Sequence, residues 1–411
     1  MSITSKASTG DTVLIERLIR NNPKLKPFLS DPDKYKIQIL YTRIDRDKDN
    51  IPHFTEYSYG LDRNKYFYCA SLVKLPCAAL ALEKMGELDI QGMNRDSEMH
   101  TDSAGSCQKR IVTDTSAFTG WPSLAQYIRR MFLVSDNEAY NRCYEFLGRA
   151  YINKKLHDKG YPDAYIIQRY DPGCNTSDNA TTNPVDFYYV SGTPMYHKPA
   201  DTDTGIVHHP LGHPTAGKAY LDNQNIKINE PRDFSKSNFL PLEDITHMLR
   251  SLIFPDSANA KQQFRLTDDD RFFMLRYLGM LPGESDHPRY KQKEYPDNYK
   301  KYLIYGDHKG KLYLDSLRIF NIVGQSYGFM TDVAYICDYK NKVEFMLSAT
   351  IYANADEVIN DNKYDYNKVA LPWFSELGKT IYFQDKIRKR AFHPLLNGMK
   401  FDYRKNPYLG K

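Results

Sequence analysis

The chain has 411 residues, 41% hydrophobic and 26% charged, an ordinary balance for one large domain or two lobes and not for a disordered polymer. A net charge of +5 is small for this length, and no dense basic run is interleaved with aromatics, which argues against a nucleic-acid partner. No apolar run reaches membrane-spanning length, and the polar stretch Met1 to Asp11 lacks a signal-peptide core.

In chain order, the spacing of Val13, Ile15, Leu18 and Ile19 predicts a helix that Asn21-Asn22-Pro23 ends. Residues 37–48 and 53–62 alternate as strands joined by a hairpin over Asp47 to Pro52. A helix is expected from about Ser71 to Met85, although Pro76 lacks the N–H that a second turn needs. Residues 95–121 are loop-like, 124–147 helical, and 153–161 a short helix. A Gly, Asn, Asp, Thr and Pro cluster from Asp171 to Pro184 makes a long loop. Residues 190–240, rich in His, Pro, Gly and Asp, read as an irregular insertion. Residues 242–254 are an amphipathic helix, and 316–324, 331–339 and 342–353 are three strands. Residues 367–388 close the chain as a helix, with the basic tract Lys386 to Arg390 as its solvated end. Strands at both ends around a helical middle predict a two-lobed α+β protein, with an antiparallel sheet flanked by helices and a cleft between the lobes.

Two motifs carry chemistry. Ser71 and Lys74 stand at i and i+3, so on a helix the amine reaches the hydroxyl. A hydroxyl needs a neighbouring base to become a nucleophile, and a buried lysine becomes one as its pKa falls. Ser106 and Lys109 repeat the spacing, but in a polar stretch without an apolar helix behind it. Ser135-Asp136-Asn137 follows an apolar run and precedes another helical pattern, whereas its duplicate, Ser177-Asp178-Asn179, lies in the long loop. The second hydroxyl can relay a proton, and the Asn137 amide can hold a carbonyl. Taken singly, each motif is equally a helix cap.

Together, in this order, they resemble the class A β-lactamases and penicillin-binding proteins. Arg169-Tyr170-Asp171-Pro172-Gly173-Cys174-Asn175 looks like that family's omega loop, Arg-x-Glu-Pro-x-x-Asn. The resemblance assigns Asp171 as a shortened deacylation base, Asn175 as its partner beside the hydrolytic water, and Arg169 as the loop's ion-pair partner. Where the family carries Lys-Thr/Ser-Gly, this chain has Ile322-Val323-Gly324, so only the glycine is kept. The missing cation implies weaker hold on a substrate carboxylate and a Lys74 that is a poorer base at neutral pH, unless Arg318, Lys309 or Lys311 compensates.

The resemblance implies a β-lactamase-like fold, with a sheet lobe over about 11–70 and 312–411 and a helical lobe over 71–311. It implies a serine hydrolase that opens an amide or lactam through an acyl-enzyme, with Ser71, Lys74, Ser135 and Asp171 catalytic. Asn137, Asn175, Gly324 and Gln325 would bind substrate, with N–H groups of Ser71 and Gln325 as the oxyanion hole. A small-molecule or peptide substrate, no cofactor and an extracytoplasmic location follow from the same likeness, and the two departures imply weak β-lactam hydrolysis. The alternative is a catalytically impaired binding protein for a peptide or carbohydrate. Cys69, Cys77 and Cys143 read as small buried hydrophobes. His208, His209 and His213, with Asp201 and Asp203, have no ligand spacing and read as a solvated loop without metal.

Overall fold

The computed structural model describes residues 8–9, 13–104, 107, 109–171, 173–175, 177–312 and 316–403. Its frame is one antiparallel sheet built from the two ends of the chain. Strands β1 (Gln38–Arg46) and β2 (Pro52–Tyr59) come from the N-terminal part; β3 (Leu317–Ser326), β4 (Phe329–Asp338) and β5 (Val343–Tyr352) come from the C-terminal part. The order is β2-β1-β5-β4-β3, with Ser8–Thr9 added in parallel outside β2. Ala349 of β5 faces Ile39 of β1, which joins the two ends in the middle of the sheet. This leaves β3 as an outer strand.

Strands β4 and β5 are buried along their whole length because both faces of the sheet are covered. Helix α1 (Val13–Asn21) and the last helix, α8 (Leu371–Ile387), cover one face, where Ile15, Ile19, Trp373, Phe374 and Leu377 pack on Ile319, Val323, Phe345 and Leu347. Phe320, Ile322 and Met346 point the other way, into the core shared with the helical region. That region holds α2 (Lys74–Leu88), α3 (Leu124–Val134), α4 (Asn137–Leu147), α5 (Arg149–Asp158), α6 (Leu242–Ile253) and α7 (Asp268–Gly279). The architecture is the α+β arrangement expected, an antiparallel sheet flanked by helices with a helical lobe beside it.

Several local expectations are corrected. The helix at Ser71 opens as a 3-10 turn, Ala70–Val73, before α2, so Pro76 lies in the first α-helical turn, where its missing N–H has no role. The helical stretch 124–147 is two helices, broken at Ser135, whose φ of +61° is left-handed. The loop 95–121 contains the strand Glu98–Thr101, and 190–240 contains several short strand pairs. Arg388 and Arg390 are not a solvated helix end: both bond the buried carboxylate of Asp385, which also accepts from Tyr41 at 2.5 Å. Among the described residues, no helix is long and apolar enough to cross a membrane.

Candidate active site

The site forms where the turn carrying Ser71, the break between α3 and α4, and the end of β3 meet. Ala70, just before Ser71, has a φ of +45°, a strained conformation for a residue with a Cβ. Gly324 explains how β3 comes so close. A Cβ on it would stand 2.5 Å from the carbonyl oxygen of Cys69 and 3.3 Å from the Leu72 side chain. Only glycine lets the strand touch the turn that presents the serine.

Lys74 is fully buried one helical turn from the half-buried Ser71. Its Nζ donates to Ser71 Oγ at 2.8 Å, Asn137 Oδ1 at 2.7 Å, Ser135 Oγ at 3.1 Å, and the Ser135 carbonyl. Burial pulls the Lys74 pKa from 10.5 down to about 7, against the opposing charge of Asp136. The left-handed Ser135 turns its carbonyl and hydroxyl toward this amine. Asp136 caps α4 through Ala139 N at 2.9 Å and pairs with Arg130 at 3.0 Å, which fixes the break. Asn137 is exposed, and among the described residues its Nδ2 has no partner. The spacing motifs therefore bring Ser71, Lys74, Ser135 and Asn137 to one point.

The poor base expected from the missing strand lysine is corrected: burial alone brings Lys74 near neutrality. Ile322 and Val323 are buried, so neither replaces a cation. Arg318 is engaged with Glu284 at 2.7 and 2.8 Å, near the far end of β3, and Lys309 lies in an exposed stretch. The residue that sequence reasoning missed is Lys300, fully buried, donating to the carbonyls of Phe132 at 2.7 Å and Met131 at 3.2 Å in the last turn of α3. Burial and the charges of Lys301 and Lys74 push its pKa well below the ordinary value. No local signal in the Tyr-rich 285–305 stretch marks it, since the placement is wholly tertiary.

The loop after Arg169 also departs from expectation. Arg169 pairs with Glu145 at 2.7 Å, both side chains fully buried, and Glu145 accepts in addition from Asn183 N at 2.6 Å. Asp171 Oδ1 accepts from Gly173 N at 2.8 Å within its own turn. Asn175 caps the following turn, accepting from Asp178 N at 2.9 Å and from Ser177 Oγ at 2.6 Å. The residue that enters the site is Tyr170. Asn141 Oδ1 accepts from its N–H at 2.8 Å, its ring lies 5.6 Å from Lys74 Nζ, and its hydroxyl donates to the Ala70 carbonyl. Pro172 lies outside the described residues, as do Ser106 and Gln108 of the repeated spacing.

A disulfide between Cys107 and Cys174 ties this loop to the stretch that follows Glu98–Thr101; cysteine spacing gave no sign of it. Cys69, Cys77 and Cys143 are buried and free, as expected.

Gln325 follows Gly324 with its side-chain Oε1 accepting from Tyr302 Oη at 3.1 Å. The two-residue turn Tyr327-Gly328 makes Ser326 and Phe329 the hydrogen-bonded pair, so at Gln325 the backbone N–H points off the free edge of the sheet. His209 corrects the solvated-loop expectation. It is buried against Tyr66, Tyr165 and Phe239, and burial lowers its pKa to about 4. Asp203 pairs with Arg149 at 2.6 Å. Glu56, Glu243 and His247 have ligand atoms within 4.8 Å, but Arg250 and Arg63 already neutralise the two carboxylates.

Residues 33–190 match the family model described as the beta-lactamase enzyme family, which bears out the resemblance carried by the motifs. No curated protein matches the chain in sequence. Among solved structures, the chain is similar to a beta-lactamase from Xanthomonas campestris pv. campestris, at 11% identity and a TM-score of 0.47, over 90% of this chain and 97% of that one. It is similar to PBP-A at 14% identity and 0.47, over 93% and 98%. It is similar also to a reconstructed class A beta-lactamase of the last common ancestor of Gram-negative bacteria, at 13% and 0.46, over 90% and 99%.

Proposed function

We propose that this β-lactamase-like chain is a serine acyl-transfer enzyme that opens an amide or lactam bond through an acyl-enzyme on Ser71. The observation that carries this reading is the buried Lys74 amine, 2.8 Å from Ser71 Oγ with a pKa near 7. Two of its N–H directions are fixed by acceptors that hold no proton, the Ser135 carbonyl and Asn137 Oδ1. When the ammonium loses a proton, the free lone pair faces the hydroxyls of Ser71 and Ser135. Lys74 then takes the Ser71 proton as Oγ attacks the carbonyl. Backbone N–H groups of Ser71 and Gln325 receive the developing oxyanion, Ser135 hands the proton to the leaving nitrogen, and the free Asn137 Nδ2 holds a substrate carbonyl.

Hydrolysis of the acyl-enzyme is the weak step in this reading. Tyr170, without a carboxylate, lies beside Lys74, and Oδ1 of Asp171 accepts from Gly173 N. A long-lived acyl-enzyme, or transfer to an acceptor amine, fits this arrangement better than rapid β-lactam turnover. The substrate is a β-lactam or a cell-wall-like peptide. An extracytoplasmic setting suits the Cys107–Cys174 bond, because such bonds persist in oxidising compartments. The binding-protein alternative has less support, since a module that only binds has no use for a desolvated amine on a serine hydroxyl.

Intact-protein mass after incubation with excess penicillin tests the proposal. A persistent adduct in the wild type, absent in Ser71→Ala, is expected. A fluorophosphonate serves as the second probe, and a folded protein whose Ser71 reacts with neither reagent would overturn it.

A further inference from the structure

A second cleft opens at the opposite end of α3 from the serine site. Trp121 stands just before Ser123, the cap of α3, and the helix then runs 11 residues, about 16 Å, before it reaches Ser135. Beside Trp121, the strand Glu98–Thr101 pairs with Val185–Tyr188, which pairs in turn with Pro194–Lys198. Trp121, Tyr188, Tyr189 and Met195, with Asp96 and Glu98, line a cleft of about 200 Å³. That is room for one sugar-sized ring and less than a drug-sized ligand fills.

The walls are fixed by their own hydrogen bonds. Met99 N donates to the Pro122 carbonyl at 2.8 Å, which ties the Trp121 segment to the strand. Tyr189 N donates to the Thr193 carbonyl at 2.9 Å, and its hydroxyl donates to the Gln91 carbonyl at 3.1 Å. Gly92, with a φ of +82°, lets that ring lie against the backbone, since a Cβ there would crowd it at 3.3 Å. Trp121 is half-buried, whereas the chain's other tryptophan, Trp373, lies in the core. Glu98 accepts from His100 Nε2 through Oε1 at 2.6 Å, and among the described residues its Oε2 has no partner. Aromatic faces beside an open carboxylate suit a pyranose: its flat C–H face stacks on a ring while its hydroxyls donate at the edge.

We infer that this cleft binds a neutral pyranose sugar, stacked on Trp121 and donating through its hydroxyls to Glu98. Asp96 and Glu98 together repel an anionic sugar, so the site selects by charge as well as by shape. Binding here involves no group of the serine site and holds whether or not Ser71 is acylated.

Calorimetric titration of the wild-type protein with cellobiose and with N,N′-diacetylchitobiose, beside N-acetylneuraminic acid as the anionic control, tests the inference. At least one neutral sugar is expected to bind with a Kd of roughly 1 mM, and the anionic sugar about tenfold more weakly or not at all. Trp121→Ala should weaken the neutral sugar about tenfold or more, and Trp121→Phe, which keeps a smaller ring, should retain part of the affinity. Should Trp121→Ala fail to fold, Glu98→Gln on its edge strand carries the test, and it should narrow the gap between neutral and anionic sugars. No saturable binding of either neutral sugar overturns the inference, as do equal binding of the anionic sugar and affinity unchanged by these variants. Failure of the serine reading looks different: sugar binding stays, and no covalent adduct forms on Ser71.

Discussion

Replacing Lys74 with Met separates the cost of a buried ammonium from its use. The folded-state pKa of about 7 lies below the ordinary 10.5, so between these values the unfolded chain binds the extra proton and stability rises with pH. At pH 6 the charge is retained in the fold and the penalty is about 5 kcal/mol, whereas at pH 9 it falls to about 2 kcal/mol. Methionine removes the penalty but leaves the Ser135 carbonyl and Asn137 Oδ1 without their donor, a loss of about 1–2 kcal/mol each. Lys74→Met is therefore expected to be more stable than the wild type at pH 6 and level with it or weaker at pH 9. The difference between the two pH values, about 3 kcal/mol, does not depend on the lost hydrogen bonds. Urea unfolding of both proteins at pH 6 and pH 9 measures it. A stability difference that stays constant with pH would refute the reasoning, because Lys74 would then titrate alike in the folded and unfolded chains.

Gly324→Ala drives a Cβ against the Cys69 carbonyl, so we expect a stability loss of about 1–3 kcal/mol in urea unfolding and slower acylation of Ser71. Arg169→Met strands the buried Glu145 carboxylate and is expected to destabilise by about 3–5 kcal/mol, with early proteolytic cutting between residues 169 and 183; unchanged stability would mean that the pair does not hold the loop. Cys107 and Cys174 close a loop of 67 residues, so Cys174→Ser, compared with the oxidised wild type, is expected to lose about 4 kcal/mol. Reductant should lower the wild type to the same level and leave the variant unmoved.

What was legible in the sequence is what depends on short spacing. Ser71 and Lys74 lie one turn apart, so their meeting follows from helix geometry, and Ser135 and Asn137 stand two residues apart at the break between α3 and α4. The strands were legible from alternation in β1 and β2 and from apolar runs bounded by tight turns in β3 to β5, which are covered on both faces. The omega-loop pattern fixes which residues lie near the site, but a hydrogen bond from a different helix, Asn141 to the Tyr170 backbone, decides which side chain enters. Lys300 and the Cys107–Cys174 bond come from segments with no periodicity, and long-range packing alone places them. Arg388 and Arg390 read as solvated because their acceptor, Asp385, is buried only after β1 lays Tyr41 against it.

The claim at the centre is that Ser71 is acylated with the buried Lys74 as its base. The rate of covalent adduct formation with benzylpenicillin, followed by intact mass from pH 5.5 to 9, tests it directly. The wild-type rate is expected to rise about tenfold per pH unit below neutrality and level off above a midpoint near 7, as Lys74 loses its proton. Lys74→Met should lose that pH-dependent acylation, and Ser71→Ala should form no adduct. A wild-type rate that is flat across this range, or Lys74→Met reacting as fast as the wild type, would contradict the account.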